Sequence, residues 1–437
     1  MRNFLQHELQ PSPVRVMDIQ GLYLVKTTDS DRVIIERMTH GGYGLARVRG
    51  KPTFIPYSIA GETVDIRIEN DRGSHAFAAV DSIITRAAQR TLPRCPHFGP
   101  QACGGCQWQH MDYQAQLDFK REIVVDQLRR IGGFDCAPVH QVIPASLPWH
   151  YRTHATLRLA EGLPAFVATD PTRLQIIDTC HILRNELLEL LDQIRQENTK
   201  HWRRMRLQVG SASHDRLLAI TPEDGSRINL PRAVQAAFGV LNRSGQYTAL
   251  RGADHVHYTV GGRTFRCSAG SFFQVNLPQA EVLVDQVRTW LKQVQPQRVL
   301  DLYCGVGLFT VFAAECCATV TAVELSPVAV RDAHYNLRRY EHVTIIEGAL
   351  ERVIPRLQGP VDAAVVDPPR VGLRKEALAG LIELAPSHVL YVSCDPTTLA
   401  RDCKTLVSAG YELLQVQPLD MFPQTFHIEC IAQLEKR

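Results

Sequence analysis

The stretch DLYCGVGLFT, residues 301–310, decides how the C-terminal half of this 437-residue chain folds. It continues an apolar run, RVLDLY, that reads as a buried strand, and Gly305 and Gly307 then make a Gly-x-Gly turn into a helix. Glycine at such a turn lets the backbone approach a ligand closely. Further apolar runs follow at regular intervals, TVTAVEL, VTIIEG, DAAVVD and HVLYVS, with helical stretches between them. Strands alternating with helices predict an α/β fold built on a doubly wound, mostly parallel sheet.

Nineteen residues after Gly305 stands Glu324, placed at a strand end to accept hydrogen bonds from ribose hydroxyls. A dinucleotide enzyme usually carries a third glycine so that helix and strand pack closely, and here Thr310 occupies that position. Asp301 also puts a carboxylate where a pyrophosphate is repelled and a sulfonium or amino group is welcome. S-adenosyl-L-methionine therefore fits this loop better than a nicotinamide or flavin cofactor.

The fourth run ends in DPPR, with Asp367 facing cofactor or substrate. Methyltransferases that act on amino groups follow the two prolines with an aromatic that stacks the base. Arg370 stands there instead, which leaves methylation of carbon open. The fifth run leads into SCDPTTLARD, so Cys394 lies at the carboxyl end of a strand, where open α/β sheets keep their chemistry. A free cysteine is most often a small buried hydrophobe. Methylation at a pyrimidine C5, however, requires a nucleophile to add to C6 first, and a thiolate suits that step because its adduct is reversible. The C5 proton must then leave to a base. The chain offers Cys394 and, in MFPQTFHIEC, Glu429.

Taken together, SFFQVN (residues 271–276), DLYCGVGLFT, VDPPR, VSCDPTTLARD and FPQTFHIE resemble the RNA uracil-5-methyltransferases, which form 5-methyluridine with S-adenosyl-L-methionine. The resemblance spans essentially the whole chain. It implies that Cys394 is the nucleophile, that Glu429 is the proton acceptor, and that Gln274, Tyr303, Gly305, Gly307, Glu324 and Asp367 line the cofactor site. Leu308 and Ala349 stand where relatives can carry asparagine, so no cofactor contact is carried over to them. Cys304, Cys316, Cys317, Cys403 and Cys430 are expected to pack.

Upstream, RCPHFGPQACGGCQWQH supplies Cys95, Cys103 and Cys106, and Cys180 is the candidate for a fourth ligand. Their spacing admits zinc or a [4Fe–4S] cluster. The resemblance favours the cluster, in a role that folds and positions the central region, since the chemistry needs no redox step. Twelve cysteines without a visible secretory signal argue against a disulfide scaffold. Residues 27–86 hold short alternating runs broken by glycines, predicting a small OB-like β-barrel, which resembles the TRAM domain and implies contact with RNA. Further expected elements are an amphipathic helix over 111–131 with a charged outer face, packing onto the catalytic region, a second helix over 186–197, and a basic-edged strand in HWRRMRLQVG.

The expected order is a tail (1–26), a TRAM-like barrel (27–87), a central α+β iron–sulfur domain (88–265) and a Rossmann-like methyltransferase domain (266–437). Residues 1–270 carry 33 Lys and Arg against 26 Asp and Glu, while residues 271–437 carry 15 against 19. A basic front joined to a slightly acidic back suits a nucleic-acid grip attached to a catalytic region, with a salt-dependent affinity. No run is long and apolar enough for a membrane span, so a cytoplasmic monomer is expected. The target uridine must leave its stack to reach Cys394, with Phe272 and Phe273 as candidates to fill the space it vacates or line its pocket, or simply to pack. Large-subunit (23S) ribosomal RNA is the favoured substrate, with transfer-RNA uridine 54 as the alternative. An inactive RNA-binding scaffold and an amino-group methyltransferase are the rivals from other classes.

Overall fold

The computed structural model describes residues 30–212, 214–224, 226, 228–242 and 245–437. The expected tail lies outside them. The chain divides into two compact units, Met1–Leu92 and Pro93–Arg437. In the first, strands Asp31–Ile34, Arg37–Met38, Gly44–Val48, Lys51–Ile55, Thr63–Asp71 and Ala76–Thr85 form one sheet. The sheet closes on itself because the chain beyond Ile34 bonds both ways: Ile35 N donates to Glu62 O (2.9 Å) and Glu36 N to Leu45 O (2.7 Å). Closure leaves no open edge. Val33, Ile35, Ala46, Ile55, Val64, Ile66 and Ala78 alternate inward to fill the core. Gly44 is required there, since a Cβ on it would lie 2.8 Å from the Ile35 side chain.

The second unit holds two seven-stranded sheets that share packing. The central sheet runs Tyr247–Arg251, Ala237–Leu241, Arg216–Pro222, Trp202–Val209, His154–Ala160, Leu163–Val167, Leu174–Ile176, antiparallel except for one pair. The helix Asn185–Ile194 covers one face, burying Leu187, Leu190, Leu191 and Ile194 against Leu157, Met205 and Leu207. Leu217 and Ala219, from the same sheet, belong instead to the core of the C-terminal sheet.

That C-terminal sheet comprises β1 (Arg298–Leu302), β2 (Thr319–Glu324), β3 (Val343–Glu347), β4 (Ala363–Val366), β5 (His388–Ser393), β6 (Tyr411–Leu419) and β7 (Glu429–Lys436). Their order is 3-2-1-4-5-7-6, parallel but for β7, which runs antiparallel between β5 and β6. The order reverses beside β1, so the crevice outside the carboxyl ends of β1 and β4 is the ligand position for such a sheet. The helix Leu277–Val294 packs its Leu283, Val284, Val287 and Trp290 into the same core.

The helix expected over 111–131 is observed as Tyr113–Gln127, continued by a wider turn, Leu128–Gly132. It packs onto the helix Pro396–Ser408, which follows β5. Its charge pattern differs from expectation. Gln116 and Lys120 are fully buried because both find polar partners some 300 residues away in the β6–β7 loop.

Candidate active site

The functional side chains gather at the carboxyl edge of the C-terminal sheet. Tyr303 N and Cys304 N, just past β1, donate to Val323 O of β2 (3.0 and 3.1 Å) and lock the start of the glycine loop. Tyr303 sits at φ 67°, a left-handed conformation that a non-glycine residue holds only where its surroundings enforce it. Gly305 has φ 57° and nothing within 4 Å of the place a Cβ would take, so the loop leaves an open cradle. Gly307 is needed for a different reason: at φ 88° a Cβ would press on Leu337 at 3.1 Å. Glu324, ending β2, accepts from Gly305 N (3.0 Å) and Ser326 N (2.7 Å). A carboxylate has about four acceptor positions, so two remain beyond these bonds.

Asp301 differs from its expected part. It is sealed behind the loop rather than lining the crevice, with Thr310 donating to one oxygen and no partner for the other. Burial pushes its carboxyl up to about 7, against the Thr310 bond. Asp367, one residue beyond β4, is likewise pushed up to about 7, first by burial and then by Asp301. These two acids form a joint reserve of negative charge rather than a fixed one. Gln274 is buried on the segment 271–276, which is held by Ser271 Oγ donating to Asp332 (2.6 Å) and by Phe273 stacking on Tyr258 at 4.6 Å. The two phenylalanines part ways: Phe273 is core, while Phe272 is 63% exposed.

Cys394 and Glu429 are brought together by strand register. β5 and β7 pair antiparallel as far as Ser393 opposite Cys430, so one step further sets Cys394 opposite Glu429. Directly opposed side chains have Cβ atoms about 5 Å apart. Asp395 caps the following helix through Thr397 N (2.9 Å) and Thr398 N (3.1 Å), fixing the turn that presents the thiol. The thiol is half-buried. Burial pushes it up to about 12, and Glu429 adds to the rise. Burial also holds the Glu429 carboxyl well above the usual carboxylate range, with Asp367 next in effect. One cation opposes both shifts. Arg370 lowers Cys394 and Glu429 alike, and Thr398 Oγ1 ties its backbone carbonyl at 3.2 Å. Its guanidinium also lies 3.3 Å from the His427 ring.

Cys95, Cys103, Cys106 and Cys180 line one cavity of about 370 Å³ together with Arg152 and Arg206. Burial raises all four thiols, Cys103 to about 11; neighbouring thiolates add to the rise for Cys103, Cys106 and Cys180, and Asp178 adds to it for Cys95. Among the described residues no three His, Cys, Asp or Glu side chains group closely enough to hold a single metal ion. Cys304, Cys317, Cys403 and Cys430 are buried as expected, while Cys316 is exposed.

Three parts of this arrangement have no clear signal in the sequence. Arg370 stands out there only as the wrong residue for stacking a base, whereas its charge acts on thiol and acid together. Asp332 and the Lys120–Asp420 pair carry no local pattern at all.

The model of a family described as tRNA (uracil-5-)-methyltransferase matches residues 240–437, and that of the TRAM domain matches residues 31–80. A protein of Bacillus cereus named an uncharacterized RNA methyltransferase is 33% identical over 442 residues, covering 92% of this chain and 96% of its own. Similarly named proteins of Halalkalibacterium halodurans and Aquifex aeolicus are 33% and 31% identical and cover 94% and 92% of this chain, each with 98% of its own length. Among solved structures, the tRNA (uracil-54, C5)-methyltransferase of Pyrococcus abyssi, in complex with S-adenosyl-L-homocysteine, superposes with a TM-score of 0.72. It covers 92% of this chain and 99% of that one at 24% identity, a likeness of fold.

Proposed function

The chain belongs to the RNA uracil-5-methyltransferase family, and on that premise we propose that it methylates C5 of one uridine through a transient bond between Cys394 and C6. The observation that carries this reading is the register that sets thiol and carboxyl side by side at the carboxyl edge of the sheet. The sulfur adds to C6, and C5 becomes an electron-rich carbon. S-adenosyl-L-methionine, when bound, supplies the methyl group. Glu429 then takes the proton from C5, the C5–C6 double bond re-forms, and the sulfur leaves as thiolate. The steps need first the sulfur and later the acid in ionised form. Arg370 favours both.

The open cradle at Gly305, the free acceptor positions of Glu324 and the charge reserve of Asp301 and Asp367 suit a ribose and a sulfonium, with Tyr303 and Gln274 completing the lining. Cys95, Cys103, Cys106 and Cys180 would hold a [4Fe–4S] cluster. They line one cavity with Arg152 and Arg206, whose charge suits a thiolate-bound anionic group, and the resemblance favours the cluster over zinc. Such a group would supply structure here and take no part in the methylation. The barrel and the basic residues of the first 270 would grip RNA phosphates, in keeping with the TRAM match.

The substrate proposed is 23S ribosomal RNA, on the strength of the gathered cysteines and the resemblance. A second reading, transfer-RNA uridine 54, is favoured by the description of the family model. Mapping 5-methyluridine in both RNAs with and without the gene separates the two. The chemistry is tested with RNA carrying 5-fluorouridine, whose C5 substituent cannot leave as a proton. Wild type should form a covalent complex stable to denaturation and Cys394→Ala none; trapping by Cys394→Ala would overturn the reading.

A further inference from the structure

The nine-residue connection between β6 and β7, residues 420–428, delivers Glu429 and is clamped from one side by residues 107–120. Lys120 Nζ donates to Asp420 Oδ1 (2.6 Å) and to Phe422 O (3.2 Å), with Lys120 and Asp420 both fully buried. Tyr113 OH donates to Asp420 Oδ2 (2.8 Å) and accepts from Ala145 N (2.7 Å). Gln116 and Gln424 bond reciprocally: Gln116 Nε2 donates to Gln424 Oε1 (3.0 Å), and Gln424 N donates to Gln116 Oε1 (3.0 Å). Gln107 N and Trp108 N, directly after Cys106, both donate to Gln424 O (3.1 and 3.0 Å). Gln424 itself sits at φ 69°, a conformation a non-glycine residue keeps only where its bonds over-determine it. These hydrogen bonds act beside the apolar packing of Met421 and Phe422. They fix the loop in register more tightly than burial alone can, because each buried polar group loses its partner if the loop shifts.

We propose that Gln116, Lys120 and Tyr113 are positioning residues for Glu429, acting on the removal of the C5 proton and not on methyl transfer. The proposal rests on the reading of Glu429 as the proton acceptor. A carboxyl displaced from its place opposite Cys394 loses its proton-transfer geometry, which is demanding in distance. The addition of sulfur to C6 does not suffer in the same way, since Glu429 disfavours the Cys394 thiolate and its retreat relieves that effect. The two steps should therefore separate. Because Gln107 and Trp108 extend the Cys106 end of the thiol-lined cavity, the same clamp links the order of that cavity to the last step of the reaction.

The test is single turnover on unmodified RNA with methyl-labelled cofactor, following methyl incorporation and release of RNA from protein separately. Gln116→Met removes the reciprocal bonds without stranding a charge, and Tyr113→Phe removes one bond. Lys120→Met is the stronger lesion, and it strands Asp420. For Gln116→Met the methyl-transfer rate should stay within about threefold of wild type while release slows by about tenfold or more. A methylated covalent complex stable to denaturant should accumulate. If methyl transfer and release fall together, or neither changes, the clamp is only structural and the proposal fails. Glu429→Gln is run beside it and should accumulate the same complex to a greater extent. If it does not, the reading of Glu429 fails, whatever Gln116→Met does; if it does while Gln116→Met behaves as wild type, only the clamp proposal falls.

Discussion

At the carboxyl edge of the C-terminal sheet, Asp301, Asp367, Glu429 and Cys394 are crowded together, and burial pushes every one of them toward its uncharged form. In the central region Cys95, Cys103, Cys106 and Cys180 line one cavity, and burial raises all four thiols as well. The two places differ in what stands ready to relieve them. The catalytic edge opens through the cradle at Gly305 and holds one arginine, Arg370, facing the thiol and the acid. The thiol cavity is lined by Arg152 and Arg206 and braced by backbone bonds such as Gly104 N to Val167 O (3.0 Å). A site that is crowded but open suits charges that come and go during turnover. A cavity ringed by four thiols and two arginines suits a permanent guest. Removing a thiol should therefore damage chemistry in the first and folding in the second.

The largest effect expected is at Cys394. Cys394→Ala should lower 5-methyluridine formation by about 10³-fold or more while the thermal midpoint stays within about 2 °C of wild type. Retained turnover would remove the distinction between the two sites altogether. Cys106→Ser should do the reverse. A bound group that forms only in the folded state adds its binding energy to stability, so the midpoint should fall by about 5 °C or more, with loss of bound iron. Protein purified under anaerobic conditions and found to contain neither iron nor zinc would show that the thiol-lined cavity has no permanent guest.

A smaller effect is expected from Arg370→Met. Loss of the cation raises the Cys394 thiol further and leaves Glu429 harder to ionise, so formation of the covalent complex should slow by about 10- to 100-fold at neutral pH. The direction in pH is fixed by the sign of the shift. The thiol already lies near 12, so the wild-type rate rises with pH, and the variant should need still more alkaline conditions for the same rate. A pH profile unchanged from wild type would mean that Arg370 serves only to bind RNA.

The catalytic edge is far more legible in the sequence than what supports it. Gly305, Glu324, Asp367 and Cys394 each end a strand-like run or follow one directly, so the repeating pattern of strand and helix is enough to place them at one edge. The antiparallel β7, which turns Glu429 to face Cys394, has no such local signal, and only motif resemblance points to it. Lys120 reads as part of a charged outer face because nothing near it in the sequence announces Asp420. A buried ion pair across 300 residues is invisible to periodicity, which sees only whether a residue is apolar. Asp301 departs from expectation for a related reason. It does follow an apolar run, but the run's own burial extends over it and withdraws the charge expected of it.

That withdrawn charge gives the finest test of the comparison. In the folded chain Asp301 and Asp367 hold their protons up to about pH 7, against about 3.9 for a free aspartate. An acid whose folded value is raised binds more protons when folded, so its contribution to stability is full at low pH and is lost as pH rises from about 4 through 7. A sulfonium placed near the pair reverses this by favouring the ionised acids, and its binding then releases protons below pH 7. S-adenosyl-L-homocysteine is the same molecule without the methyl and without the charge. The ratio of the two affinities should therefore shift toward the sulfonium by up to about tenfold between pH 6 and pH 8 and level off above. Calorimetry on the full chain, with both ligands across that range, reads the ratio and the proton release together. A flat ratio would mean that the buried acids do not sense the cofactor's charge.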